Sequence, residues 1–142
     1  MINSLRALII PNLPFAGNAC NVLGYLKAEL NLYWCGLYIV MPDGDLALGP
    51  FQGLPACTNI KLGRGVCGTA AAERKTMIVE DVSLFPGYIA CHAEVKSEIV
   101  VPAFRNGELI FVLDVDSDLP AVFTKENAAL YEQVAVMLAE IF

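Results

Sequence analysis

The chain has 142 residues, the length of one ordinary domain. Fifteen Asp+Glu against nine Lys+Arg give a net charge of −6 and a pI near 4.6, which argues against a general nucleic-acid binder, since such a protein needs a basic face to replace phosphate counterions. With 56% apolar and only 17% charged residues the chain is not disordered, no apolar run approaches the ~18 residues of a membrane span, and a mean hydropathy of +0.56 points to a dense core with apolar surface left for a subunit interface.

Residues 1–14 read as a peripheral N-terminal segment, a short strand or extension. Leu8-Ile9-Ile10 is stopped by Pro11 and preceded by Arg6 alone, too short for a secretory core, so the cytoplasm is the expected compartment. A helix is predicted over 16–29, where Ala19, Val22, Leu23, Leu26 and Leu30 recur at steps of three and four and Asn18 offers a cap. The apolar, aromatic run 32–41 reads as a buried strand, Pro42-Asp43-Gly44-Asp45 as a reversing turn and 46–52 as the returning strand. Gly53-Leu54-Pro55 breaks it, and 57–62 carries another short strand. Gly63-Arg64-Gly65 leads into an alanine-rich helix over 66–73, and 76–79 is a brief strand. Residues 80–94 have no clean period, contain Pro86-Gly87 and end on Cys91-His92; long loops in compact domains are often functional. Strands are predicted over 97–104 and 108–116, around Arg105-Asn106-Gly107. The amphipathic segment 123–142 closes the chain as a helix, capped by Thr124 with Asn127 three residues on, its apolar face formed by Ala128, Tyr131, Val134, Ala135 and Leu138. The expected architecture is one α+β domain over residues 1–142, a central antiparallel sheet flanked by N- and C-terminal helices.

Five cysteines, Cys20, Cys35, Cys57, Cys67 and Cys91, cannot all pair within the chain, and their spacing around the single histidine, His92, matches no zinc knuckle. In a reducing compartment thiols that do pair are usually catalytic or redox-sensing. Cys20 and Cys35 lie in apolar segments and read as core. Cys67 sits near a helix N-terminus, where the dipole lowers a thiol pKa; Cys91 sits in the long loop beside His92 and five residues before Lys96, either of which would favour its thiolate.

Strand alternation puts Ile110, Val112, Asp114 and Asp116 on one face of 108–116, an unusual place for two aspartates unless the strand end meets water. The hairpin leaves two registers. A two-residue Asn106-Gly107 loop pairs Arg105 with Glu108, sets Ser97 opposite Asp116 and turns Glu98 to the other face. A three-residue loop with Gly107 in a G1 bulge pairs Phe104 with Glu108 and sets Glu98 opposite Asp114. The second gathers three carboxylates into a pocket able to bind a cation or an ammonium, or to hold one acid protonated at neutral pH.

FQGLPACTNIKLGRGVCGTA, VEDVSLFPGYIACHAEVKSEIVVP and LDVDS, within a stretch running from about Tyr33 to the C-terminus, resemble the free methionine-(R)-sulfoxide reductases, GAF-domain enzymes that reduce the free amino acid. The resemblance implies that Cys91 is the catalytic cysteine and that Cys57 and Cys67 are resolving cysteines, Cys57 the main one. It also implies that Glu98, Asp114 and Asp116 bind substrate, and that Trp34 forms an aromatic wall with Tyr38 beside it. Because that family places the three acids together, the three-residue register is the one expected. The implied chemistry is attack of Cys91 on the sulfoxide sulfur, protonation of the oxygen by Asp116 assisted by Glu98, and retention of the ammonium by Asp114 and Glu98. A sulfenic acid then yields to a disulfide that a thioredoxin-like dithiol reopens, with no bound metal or organic cofactor. A homodimer is expected as well. The chain departs from the family pattern at His92, where an acid is usual, at Thr58-Asn59 and Val95-Lys96, and in an apolar, shorter stretch before Tyr33. The competing reading is a non-catalytic GAF module that senses a small metabolite or redox state; three thiols and the acidic cluster, together with the lack of an output domain in a chain of this length, favour the enzyme.

Overall fold

The computed structural model describes residues 1–142. A six-stranded antiparallel sheet is built from β1 (Trp34–Val40), β2 (Leu46–Gln52), β3 (Asn59–Ile60), β4 (Met77–Val79), β5 (Ser97–Arg105) and β6 (Glu108–Ser117), in the spatial order β3-β2-β1-β6-β5-β4. The helices are α1 (Ile2–Ala7), α2 (Phe15–Leu30), α3 (Gly65–Glu73) and α4 (Lys125–Ala139), with a short 3-10 turn over Val82–Leu84 inside the long irregular segment. No helix is long and apolar enough to cross a membrane.

The central strands bury both faces, which explains their nearly continuous apolar sequence. Cys35 and Leu37 of β1, Ile99 and Val101 of β5 and Leu113 and Val115 of β6 point into a core with Val22, Leu23 and Leu26 of α2 and Val134, Met137 and Leu138 of α4. Trp34, Tyr38, Val100 and Val112 point the other way, toward Val66, Cys67 and Ala70 of α3 and Val82 and Val95 of the loop after β4. The functional site lies on this second side.

Local chemistry accounts for most boundaries. Asn127 N–H donates to Thr124 Oγ1, and Thr124 N–H donates to Asn127 Oδ1, the reciprocal capping box that starts α4. Asn18 does not cap α2, which begins after Pro14; it lies one turn in, where its Oδ1 accepts from Ile10 N–H and its Nδ2 donates to Ile10 carbonyl oxygen, both at 3.0 Å. That pair ties residue 10 to α2. Residues 2–7 form a helix rather than a strand or extension, because Leu5 is fully buried among α2 and α4 side chains and Arg6 pairs with Glu140 at 2.9 Å. Of the two thiols assigned to packing, Cys35 is buried and Cys20 is half-buried.

The β5–β6 hairpin corrects the expected register. Asn106 and Gly107 have φ of 51° and 80°, so the loop has two residues and Arg105 pairs with Glu108. Phe104 faces Leu109, but Ala103 faces Phe111, so Ile110 is an extra residue on β6. Past this bulge Ser97 pairs with Ser117, Glu98 with Asp116 and Val100 with Asp114. Ile110 accordingly turns to the helix-covered core, whereas Leu109 takes the site face beside Val112. The three acids share a face by a route neither simple register supplies.

On its other edge β6 pairs with β1, Trp34 against Asp116 and Gly36 against Asp114. The Trp34 ring folds back over Gly36, so a Cβ at position 36 would lie 2.3 Å from Trp34 Cη2 and 2.6 Å from Phe51 Cβ. Gly36→Ala is expected to lower stability by about 1–3 kcal/mol in urea unfolding and to shift the emission of the single tryptophan; unchanged stability and emission would contradict this packing.

Candidate active site

Three acids form the floor. Glu98 is 5% exposed, and Asp114 and Asp116 are each 7% exposed. The three ion pairs of the structure, Arg6–Glu140, Lys61–Asp45 and Lys75–Glu73, all lie elsewhere, so no cationic side chain pairs with these carboxylates. Buried carboxylates without a counterion hold their protons. Burial raises Asp114 to about 6 despite hydrogen bonding from its neighbours. Burial and the charge of Asp114 hold both Glu98 and Asp116 well above the usual carboxylate range. Asp114 Oδ1 is buried with no hydrogen-bond partner.

Above this floor, Trp34 and Tyr38 of β1 form one wall, with ring centroids 6.2 Å apart, and Trp34 also stacks on Phe51 at 5.5 Å. The first turn of α3 contributes Val66 and Cys67, and the irregular segment contributes Tyr88, Cys91, His92 and Val95. The cavity these residues enclose is about 30 Å³, room for one or two waters.

Cys57 and Cys91 are joined by a disulfide with Cα atoms 5.7 Å apart, bringing together positions 34 residues apart in sequence. Three aromatic donors hold the backbone from Leu54 to Cys57. Trp34 Nε1 donates to Leu54 carbonyl oxygen at 3.0 Å, and Tyr38 Oη to that of Cys57 at 2.9 Å. His92 Nε2 lies 2.9 Å from Pro55 carbonyl oxygen; because a carbonyl only accepts, Nε2 carries the hydrogen. His92 also packs edge-on against Tyr33, whose hydroxyl donates to Glu94.

Cys67 behaves differently from the expectation of a lowered pKa. It does sit in the first turn of α3, but it is 4% exposed and faces Asp114, Glu98 and Asp116. Desolvation and these three charges push the thiol well above its ordinary value, outweighing a helix dipole that acts only over the first turn. Its sulfur and carboxylate oxygens of Glu98 and Asp114 all lie within 4.8 Å of one another.

The sequence-derived candidates Trp34, Tyr38, Cys67, Cys91, Glu98, Asp114 and Asp116 therefore line one cavity, and Cys57 is bonded to it through Cys91. The structure adds one contributor, Tyr88, and gives another, His92, a different partner from the one its sequence position suggests. Tyr88, within FPGYIAC, brings its ring into the cavity, and burial together with the three acids raises its hydroxyl pKa. His92 acts as a clamp on the Cys57 segment. Its position after Cys91 was the available signal, but a partner 37 residues away was not.

The GAF-domain profile matches residues 21–142. The free methionine-R-sulfoxide reductase of Escherichia coli is 40% identical over 137 residues, covering 96% of this chain and 82% of that protein. The crystal structure of the Neisseria meningitidis free methionine-R-sulfoxide reductase with its substrate superposes with a TM-score of 0.93 at 38% identity, covering 98% of this chain and 84% of that one. This chain belongs to the free methionine-(R)-sulfoxide reductase family of GAF domains. GAF domain-containing protein A of Dictyostelium discoideum is 48% identical over 121 residues, covering 85% of this chain and 77% of that protein.

The floor makes a pH prediction. Asp114 keeps its proton to about pH 6 in the fold but loses it near 4 when unfolded. Between these values the folded state binds more protons, so this residue's contribution to stability falls as pH rises from about 4 to about 6. Asp114→Asn is therefore expected to be more stable than wild type at pH 7, on the order of 2 kcal/mol, with the gap closing near pH 4. Urea midpoints at the two pH values test this; a gap of equal size at both would contradict it.

Proposed function

We propose that this protein reduces free methionine-(R)-sulfoxide to methionine, with Cys91 as nucleophile. The observation that carries the reading is Asp114 Oδ1, a buried acceptor without a partner on a floor of three uncompensated acids. The ammonium of a free amino acid supplies both the missing donor and the missing positive charge. A methionine residue inside a protein has no such ammonium, which explains a preference for the free amino acid.

Asp114 and Glu98 hold the ammonium, and Trp34 packs against the methyl and methylene groups, with Tyr38 and Tyr88 around them. Cys91 as thiolate attacks the sulfoxide sulfur. The sulfoxide oxygen leaves poorly until protonated, so an acid still carrying its proton at neutral pH is required, and burial beside Asp114 suits Asp116 to that task, with Glu98 assisting. The oxygen leaves as water with Cys91 Sγ bonded to the methionine sulfur; a water then attacks Cys91 Sγ, that sulfur–sulfur bond breaks, methionine departs, and Cys91 is left as sulfenic acid. Cys57 then attacks the Cys91 sulfur, water leaves, and the Cys57–Cys91 disulfide forms; the bond present here supports this order, and Cys67 is the reserve thiol. A thioredoxin-like dithiol reopens the bond by exchange, to which both half-buried cysteines are open. The reading needs no resident metal or organic cofactor. It includes a cytoplasmic homodimer.

With dithiothreitol as reductant, methionine is expected from the R epimer and not the S epimer, with turnover abolished in Cys91→Ser. Cys57→Ser is expected to release about one equivalent rapidly and then to slow under thioredoxin. Full activity of Cys91→Ser would remove the nucleophile from the mechanism. No methionine from folded, reduced protein would favour a ligand-binding sensor instead.

A further inference from the structure

Cys67 has no necessary part in a cycle that Cys91 and Cys57 complete between them, yet its sulfur lies on the acidic floor. Three features coincide there. Cys67, Glu98 and Asp114 are each more than nine-tenths buried. One ligand atom from each lies within 4.8 Å of the other two. Asp114, a member of this group, has its Oδ1 buried with no partner. An ammonium accounts for the oxygens, but it gains nothing from a sulfur. A borderline-soft divalent cation gains from both, because thiolate with carboxylate is a zinc-type donor set whereas magnesium and calcium take oxygen alone. Three protein donors with a remaining open position also match the coordination number of an accessible zinc site rather than a closed structural one.

We propose that Cys67, Glu98 and Asp114 bind a thiophilic divalent cation of the Zn²⁺ class, which occupies the pocket floor and excludes the amino-acid substrate. The donors lie within 4.8 Å of one another, against ~3.5 Å between donors of a bound tetrahedral ion, so binding requires them to draw together. Binding releases the Cys67 thiol proton and the proton held on Glu98 to solvent, with no change of oxidation state. Asp116 lines the same cavity. The Cys57–Cys91 bond takes the other two pocket thiols out of competition, so the oxidised protein retains the site. Metal binding stands on this geometry alone; exclusion of substrate rests on the proposed reduction of methionine sulfoxide.

The test is titration of the oxidised protein with Cd²⁺, following the ultraviolet thiolate-to-cadmium charge-transfer band. One equivalent is expected to bind in wild type and in Cys20→Ser, and the band is expected to vanish in both Cys67→Ser and Cys67→Ala. Asp114→Asn is expected to weaken binding, Zn²⁺ to displace Cd²⁺, and excess Mg²⁺ to leave it in place. No band in wild type, or a band retained in the folded Cys67 variants, would overturn the site. Free methionine-(R)-sulfoxide is expected to lower the apparent Cd²⁺ affinity; binding of both without interference would overturn the exclusion. The absorbance reads ligation and not turnover, so a failure of the proposed reaction leaves the titration decisive.

Discussion

The rest of the molecule is arranged around three carboxylates buried together with no cation beside them. Burial of a lone carboxylate costs free energy, and three lining one small cavity without a counterion resist ionising together. The fold tolerates the cluster because protons remain on it and because well-packed strands fix it: β6 is central in the sheet, with β1 on one side and β5 on the other. The one-residue bulge at Ile110 is what turns Asp114, Asp116 and Glu98 to a common face. Such a site gains most from a ligand that brings its own positive charge.

The thiol chemistry is set against this floor by a different device. The segment leading into Cys57 is irregular rather than a strand, interrupted by Gly53 and Pro55, and the carbonyls of Leu54, Pro55 and Cys57 are claimed by Trp34, His92 and Tyr38. The aromatic wall of the cavity thus doubles as the support for the partner of Cys91. The acids and the disulfide are thus supported by the same rings.

Much of this was legible in the residues, and the failures have physical causes. β2 falls at 46–52 as expected, and the α4 capping box follows from Thr124 and Asn127 because capping is local chemistry. The register of β5 and β6 was not legible. Asn-Gly suits both a two-residue loop and the end of a three-residue one, and the bulge that restores the face depends on packing of Ile110 against helices distant in sequence. Asn18 reads as a cap from its neighbours alone, yet it serves a backbone eight residues upstream. Cys67 shows the same lesson in electrostatics: its helix position is local, whereas its burial against three acids is tertiary and dominates. The motif resemblance reached the Cys57–Cys91 pairing, which periodicity could not, whereas strand alternation alone put Asp114 and Asp116 on one face.

Recognition of a free ammonium by the buried acids is the central claim, and ligand binding without turnover tests it most directly. Isothermal titration of reduced Cys91→Ser protein with methionine-(R)-sulfoxide and with its N-acetyl derivative separates the charge from the sulfoxide. The account predicts that the free amino acid binds and that the N-acetyl compound binds at least about 100-fold more weakly, since it leaves Asp114 unpartnered and the floor uncompensated. Equal affinity for the two compounds would contradict it.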